Sequence, residues 1–392
     1  MISVGIDVGK RSHEVCLMDM DGNQIGHFFR FQHSRQGITD LVQLLRKQPE
    51  PCVIALEATG HYWLALYYQL LQEGFKLVTV NPLQSYAYRR STIRKVKNDQ
   101  RDAWIIADLL RIGRVRPGYV PGPDIQTLRD LARFRMELVD QIGDAKRRIL
   151  GVLDKVFPEY ESLFSDVFIT TSRELLKRAN TAEEFAGLNL KEITQVVKKA
   201  SRGQLGLERV GHIQQAARTS IGLPYLRDAA TVELRCLLAQ VEFLEVQVKD
   251  VESTLERLFS EVPQHLTSIQ GMGVISVATI YAEIGDIHRF PNVESLVAYA
   301  GIDPTIFSSG EFEGTRRHIS KRGSPYLRKA LWMAATGVRR WNPDLDAFFA
   351  KKLSEGKPYG VAMVALCHKL LARIYVILRE NRPYEIRPSF PV

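Results

Sequence analysis

Four carboxylates stand out for where they fall along the chain. Asp7 closes the apolar run from Ser3 to Asp7, Glu57 closes VIALE, and Asp99 and Asp102 sit three apart in KNDQRDA. Three residues is close to one helical turn, so Asp99 and Asp102 share a helix face. An ionised carboxylate at the end of a buried strand is costly unless it is paired or bound to a metal. Four of them converging would repel one another and favour a divalent cation, and hard oxygen donors suit Mg²⁺ or Mn²⁺. Each acid alone also has an ordinary reading: Asp7 as a turn former, Glu57 as a strand-end charge, Asp99 as a helix N-cap with Asp102 at its third position. The set, taken in this order, favours a metal site.

The elements that would carry these acids read as α/β. Ser3–Asp7, His13–Met18 and a strand around Ile25–Phe31 form a meander, with Asp21-Gly22-Asn23 as a hairpin turn. Helical spacing follows over Ile38–Leu45, then the strand Val53–Glu57, a helix from Tyr62 to Glu73 and the strand Lys76–Val80 closed by Asn81-Pro82. A last helix runs from Asp99 to about Ile112. This order is that of a ribonuclease-H-like (RuvC-like) domain, although strand–helix alternation alone suits many α/β folds. The Gly/Pro-rich stretch from Gly113 to Pro123 marks a boundary. The expected organisation is an α/β domain over residues 1–118, a helical coiled-coil arm over 119–262 and a mostly α-helical C-terminal domain over 263–392.

The arm rests on two periodic series. Leu138, Ile142, Ala145, Ile149, Val152 and Val156 alternate four- and three-residue steps, as do Leu234, Leu237, Val241, Leu244, Val248, Val251, Leu255 and Leu258. Such a seam either pairs with another subunit or packs within one local bundle. In the last third, Gly271-Met272-Gly273 precedes an apolar helix. It reads either as a helix-hairpin-helix phosphate contact or as a tight turn between packed helices.

Taken together, GIDVGK, ALEATG, KNDQRDA and the later run AYAGIDPTIFSSG…RRHISKRGSPYLRKALWMAA resemble the DEDD-type, RuvC-like serine transposases of bacterial insertion sequences. That family includes the Piv/MooV DNA invertases and the bridge-RNA-guided recombinases. The resemblance spans roughly residues 2–113 and 265–340 and implies that Asp7, Glu57, Asp99 and Asp102 are catalytic metal ligands. Ser308-Ser309-Gly310 is by itself ordinary loop composition. The resemblance makes the serine before glycine, Ser309, the nucleophile, with Ser308 one alignment step away. It further implies strand cleavage and rejoining through a covalent phosphoserine, donor and target DNA, a guide RNA, and a homodimer or homotetramer. GIDVGKRSHE also resembles the first phosphate loop of actin-like and sugar-kinase ATPases, but no later Asp-Gly-Gly-type loop accompanies it. The remaining alternatives are a metal-only nuclease or junction resolvase, and a non-catalytic architectural nucleic-acid-binding protein.

Composition agrees with a nucleic-acid partner. The 392 residues carry 53 Lys+Arg against 44 Asp+Glu, a formal net charge of +9. Basic runs flank both proposed halves: Arg89, Arg90, Arg94, Lys95 and Lys97 before Asp99, and Arg316, Arg317, Lys321, Arg322 and Arg328 after the serines. These are expected phosphate contacts, with solvated faces as the plain alternative. The four cysteines show no metal-ligand spacing and suit a reducing compartment. No apolar run is expected to cross a membrane, the nearest (Val361–Leu378) being broken by His368, Lys369 and Arg373. The expected setting is the bacterial cytoplasm, at the nucleoid when active.

Overall fold

The computed structural model describes residues 1–91, 98–115, 117–305, 308–309, 312–313 and 318–386, with backbone only at 91, 308, 309, 312 and 313. The chain divides into two compact units, Met1–Val120 and Pro121–Val392.

The first unit is built on a five-stranded sheet of β1 (Ile2–Val8), β2 (Ser12–Met18), β3 (Phe29–Gln32), β4 (Cys52–Glu57) and β5 (Lys76–Val80). Their order is β3-β2-β1-β4-β5. The first three pair antiparallel, and β4 and β5 join parallel to β1. The third strand starts later than the hydrophobic pattern suggested, because Gly26 adopts a left-handed φ of +68° and interrupts the extended chain. Helices α1 (Arg35–Arg46) and α2 (Tyr62–Gln72) supply the crossovers that parallel pairing requires. Ile6, Ile54, Leu56, Leu41, Leu66 and Leu70 are fully buried together on that side.

Two further helices follow β5. Asn81-Pro82 closes β5 in the sequence pattern, and a helix that the pattern does not mark, α3 (Pro82–Ser91), starts there. Pro82 takes the first helical position, where its missing N–H costs nothing. Asn81 Oδ1 accepts the Leu83 N–H at 2.9 Å. Helix α4 (Asp99–Arg111) packs against β1 and β2. Its N-cap is Asn98, whose side chain accepts the Arg101 N–H at 2.7 Å, so Asp99 lies inside the first turn.

Among its described residues, the regular elements of the second unit are helices and one short strand pair. Helices α5 (Pro123–Val156) and α10 (Arg227–Ser260) run antiparallel as 34-residue partners. Leu138 packs with Leu244 and Val248 at mid-length, and Arg135 meets Glu252 at 2.6 Å. The seam read from the sequence is therefore filled by the same chain: Leu234, Leu237, Val241, Leu244, Val248 and Leu255 are buried within it. Between these helices, α6 (Thr170–Leu176), α7 (Ala182–Gly187), α8 (Leu190–Ala200) and α9 (Leu207–Arg218) close a tip around Phe157, Tyr160 and Phe185.

At the other end of the helix pair, α11 (Val274–Ile284), α12 (Val293–Ala300), α13 (Pro325–Trp341), α14 (Pro343–Ser354) and α15 (Tyr359–Glu380) form a second core. It is shared with Leu128, Ala132, Leu255 and Phe259 of the long pair. Fully buried Glu283 of α11 takes a bidentate ion pair from Arg133 of α5, at 2.6 and 3.0 Å, and a hydrogen bond from Ser324 at 2.9 Å. Truncating one partner of such a pair strands the other charge in the interior. Gly271 and Gly337 meet backbone to backbone, since a Cβ on Gly271 would lie 2.7 Å from the Gly337 carbonyl. The Gly271-Met272-Gly273 turn thus packs on α13, and Met272 is buried.

Among the described residues, helix α15 is the one helix that is long and apolar enough to cross a membrane by length and composition, and in the fold it serves as a core helix. It carries its charges by pairing them: Lys369 and Arg373 both reach Asp344 at 3.3 Å. Ala362, Met363, Leu366, Leu370, Leu371 and Ile374 are buried in the second core.

Candidate active site

Strand pairing brings the first two acids together. β1 and β4 run parallel with Ile6 opposite Leu56, so Asp7, next to last in β1, and Glu57, last in β4, lie at the same C-terminal end of two neighbouring strands. The other two acids arrive on α4, and Gly5 explains how closely. A Cβ on Gly5 would lie 2.1 Å from the Ala103 carbonyl oxygen and 2.3 Å from the Ala107 nitrogen. The α4 backbone rests directly on β1, and Asp102, immediately before Ala103, is carried to the Asp7 end of the strand.

The electrostatics follow from this convergence. Asp7 is pushed up to about 7, first by burial and then by the fields of Asp102, Asp99 and Glu57, with Arg89 opposing. Glu57 accepts hydrogen bonds from Thr59 Oγ1 and, at 2.6 Å, from Ser85 Oγ. Asp102 is buried and its Oδ1 meets Arg89 Nη2 at 2.9 Å. Asp99 is exposed at the start of α4. The four side chains feel one another's charge without closing into a ready cage: among the described residues, no three Asp, Glu, His or Cys side chains group tightly enough to hold a metal ion. Their hard carboxylate oxygens in mutual repulsion are the donor type that a divalent cation takes, and Arg89 is one counter-charge already beside them.

Two nearby groups gave no signal in the sequence. Ser85 is an unremarkable helix serine until the fold sets it on Glu57. Glu14 stands opposite Asp7 in the β1–β2 register, almost fully buried, with Arg30 at 3.5 Å. Burial raises its carboxyl above the usual range, and Asp99 adds to that against the pull of Arg30.

The serines occupy the second unit. Ser308-Ser309 forms β6 and pairs antiparallel with β7, Phe312-Glu313, in the register Ser308–Glu313 and Ser309–Phe312. Their side chains lie outside the described residues. The described segments on either side, residues 301–305 and 318–321, are hydrogen-bonded to each other. Thr305 N donates to His318 O at 2.7 Å, Ser320 N to Asp303 O at 2.8 Å and Lys321 N to Gly301 O at 3.0 Å. The His368 ring lies 2.8 Å from the Ile302 carbonyl, with Nε2 as donor.

The expected phosphate contacts divide. Arg90, Lys321 and Arg322 are exposed. Arg89 faces Asp102, and Arg328 donates to the Ala300 carbonyl at the end of α12 at 3.0 Å. Arg94, Lys95, Lys97, Arg316 and Arg317 lie outside the described residues.

Comparison with known proteins places both halves. Residues 4–158 match a transposase family model of the DEDD, IS110 type, and residues 263–350 match the model of the transposase IS116/IS110/IS902 family. The chain is 26% identical over 397 residues to an insertion element IS116 44.8 kDa protein of Streptomyces clavuligerus, covering 99% of this chain and 97% of that one. It is 23% identical over 385 residues to the pilin gene-inverting protein of Moraxella bovis, covering 98% of each. It is 26% identical over 390 residues to the transposase for insertion sequence element IS1111A of Coxiella burnetii, covering 97% and 90%.

Proposed function

This chain belongs to the IS110/IS116/IS902 family of transposases, and from that premise we propose that it cuts and rejoins DNA strands through a serine nucleophile and a carboxylate-held divalent cation. The observation that supports the reading is positional: Asp7 and Glu57 lie at the same end of the neighbouring parallel strands β1 and β4, and α4, which carries Asp99 and Asp102, packs against β1.

Asp7, Glu57, Asp99 and Asp102 are the residues that would hold Mg²⁺ or Mn²⁺. When bound, the ion supplies Lewis-acid polarisation of the scissile phosphate. Ser309 Oγ attacks phosphorus, gives up its proton and displaces a DNA oxygen, which leaves as a hydroxyl. One phosphodiester becomes a phosphoserine ester of similar energy, so a second DNA hydroxyl can reverse the step onto a new strand without ATP. Exposed Arg90, Lys321 and Arg322 suit the phosphate backbone. The family resemblance adds a guide RNA and a homodimer or homotetramer acting on donor and target DNA.

The test is adduct trapping. Purified protein with Mg²⁺, RNA and donor DNA should yield a covalent protein–DNA species that migrates as one band under denaturing conditions. Cleavage with free ends and no adduct would favour a metal-only nuclease instead.

A further inference from the structure

Helix α3 does more than connect β5 to the basic segment before Asp99. Ser85 and Arg89 are four residues apart, so they share one face of this helix. Through that face α3 engages two different members of the acid set: Ser85 Oγ donates to Glu57 Oε2 at 2.6 Å, and Arg89 Nη2 meets Asp102 Oδ1 at 2.9 Å. Tyr88, between them, hydrogen-bonds to Asp108 further along α4. One partner of Asp102 is therefore a cation supplied by the protein itself. Arg90, next in sequence, is exposed, and Arg94, Lys95 and Lys97 follow within seven positions.

We propose that α3 is a clasp on the acid set: Arg89 is the internal counter-ion of Asp102, and an incoming phosphate backbone draws it away, so that nucleic-acid binding and divalent-cation binding are coupled. The inference rests on the metal reading of the acids given above. Guanidinium binds phosphate and carboxylate through the same fork of donors, so the exchange replaces one charge-assisted contact by another. In the absence of nucleic acid a cation must compete with Arg89, and the site stays weak until DNA or RNA is present.

Mn²⁺ binding to the full-length protein, free of nucleic acid, is the direct test, followed by paramagnetic resonance of the free ion. Arg89→Gln should bind Mn²⁺ about tenfold more tightly than wild type, the scale of one charge-assisted contact. Arg89→Lys, which keeps the charge, should stay near wild type, and Asp102→Asn should bind weakly. Equal or weaker binding by Arg89→Gln, with wild type saturating normally, overturns the clasp and leaves the metal site standing. If no protein in the series binds Mn²⁺ saturably, the metal reading fails and the clasp with it.

A second readout needs no Arg89 variant. Linkage requires that Mn²⁺ tighten wild-type binding of a short labelled duplex by the factor by which the duplex tightens Mn²⁺. Fluorescence anisotropy should show that gain, and Asp102→Asn, which controls for Mn²⁺ on the DNA, should lack it. The same change in both proteins overturns the coupling.

Discussion

The Gly5 Cα and the Ala103 carbonyl approach so closely that a single methyl group on Gly5 would lie 2.1 Å from the oxygen. This contact sets α4 on β1 and thereby sets the distance between Asp7 and the two acids of α4. Gly5→Ala should destabilise the first unit by about 3 kcal/mol, as overpacking against rigid backbone does. Denaturant melts followed by circular dichroism would measure it. A variant as stable as wild type would mean that α4 rides loosely on the sheet.

Asp7 pays for its neighbours. Asp7→Asn removes a carboxylate held in the field of three others, so the metal-free protein should melt about 2–4 °C higher. The same substitution should abolish strand cleavage while leaving most nucleic-acid binding in place. Cleavage that persists undiminished in EDTA would remove the metal from the mechanism.

Ser309→Ala should eliminate both the covalent adduct and recombination with DNA binding nearly unchanged, whereas Ser308→Ala should retain at least part of both. Adduct formation by Ser309→Ala together with an inert Ser308→Ala would move the nucleophile by one position. Gel analysis of trapped complexes decides between them.

Two titrations oppose each other. His13 is buried, 2.9 Å from His33, and burial foremost pushes it down from 6.5 to about 4. The unfolded chain then binds the extra proton, so this contribution is complete above about pH 6.5 and is lost as pH falls toward 4. Asp7 acts in the other sense: its folded value near 7 exceeds the unfolded one, so the stability its protonation lends is present at low pH and lost as pH rises through 7. Wild type should therefore show a shallow dependence between pH 5 and 7. Asp7→Asn should unmask His13 and lose about 2 kcal/mol on going from pH 7 to pH 5. Urea melts at the two pH values measure the difference, and an equally shallow profile in Asp7→Asn would refute it.

The long seam is intramolecular, which changes what its disruption does. Leu244→Lys buries a charge against Leu138 of the same chain, so the α5–α10 pair itself should lose several kcal/mol of stability, whatever the assembly. Hydrogen exchange should rise along both helices. Loss of an oligomer with unchanged exchange would mean that Leu244 serves another subunit.

Much was legible in the sequence because it is local. Short apolar runs closing on Asp7 and Glu57 marked β1 and β4, buried on both faces of the sheet, and three-and-four spacing marked α5 and α10, since backbone geometry and burial write their own pattern into the residues. The four acids and the serine doublet stand in the sequence as residue types in a given order, which is what the proposed chemistry starts from. Partners distant in sequence were not. Nothing in Gly5 names Ala103, nothing in Ser85 names Glu57, and Arg89 reads as one more phosphate contact until the fold presents Asp102 to it. Glu283 and Arg133, 150 residues apart, are ordinary surface residue types that only a shared interior makes into a buried pair. Helix α15 has the composition of a membrane span, and only the packing around it turned one face into core. Sequence determined the elements and the chemistry they carry. Burial and close approach, which depend on which distant surfaces meet, decided how those groups are charged and which of them are already paired.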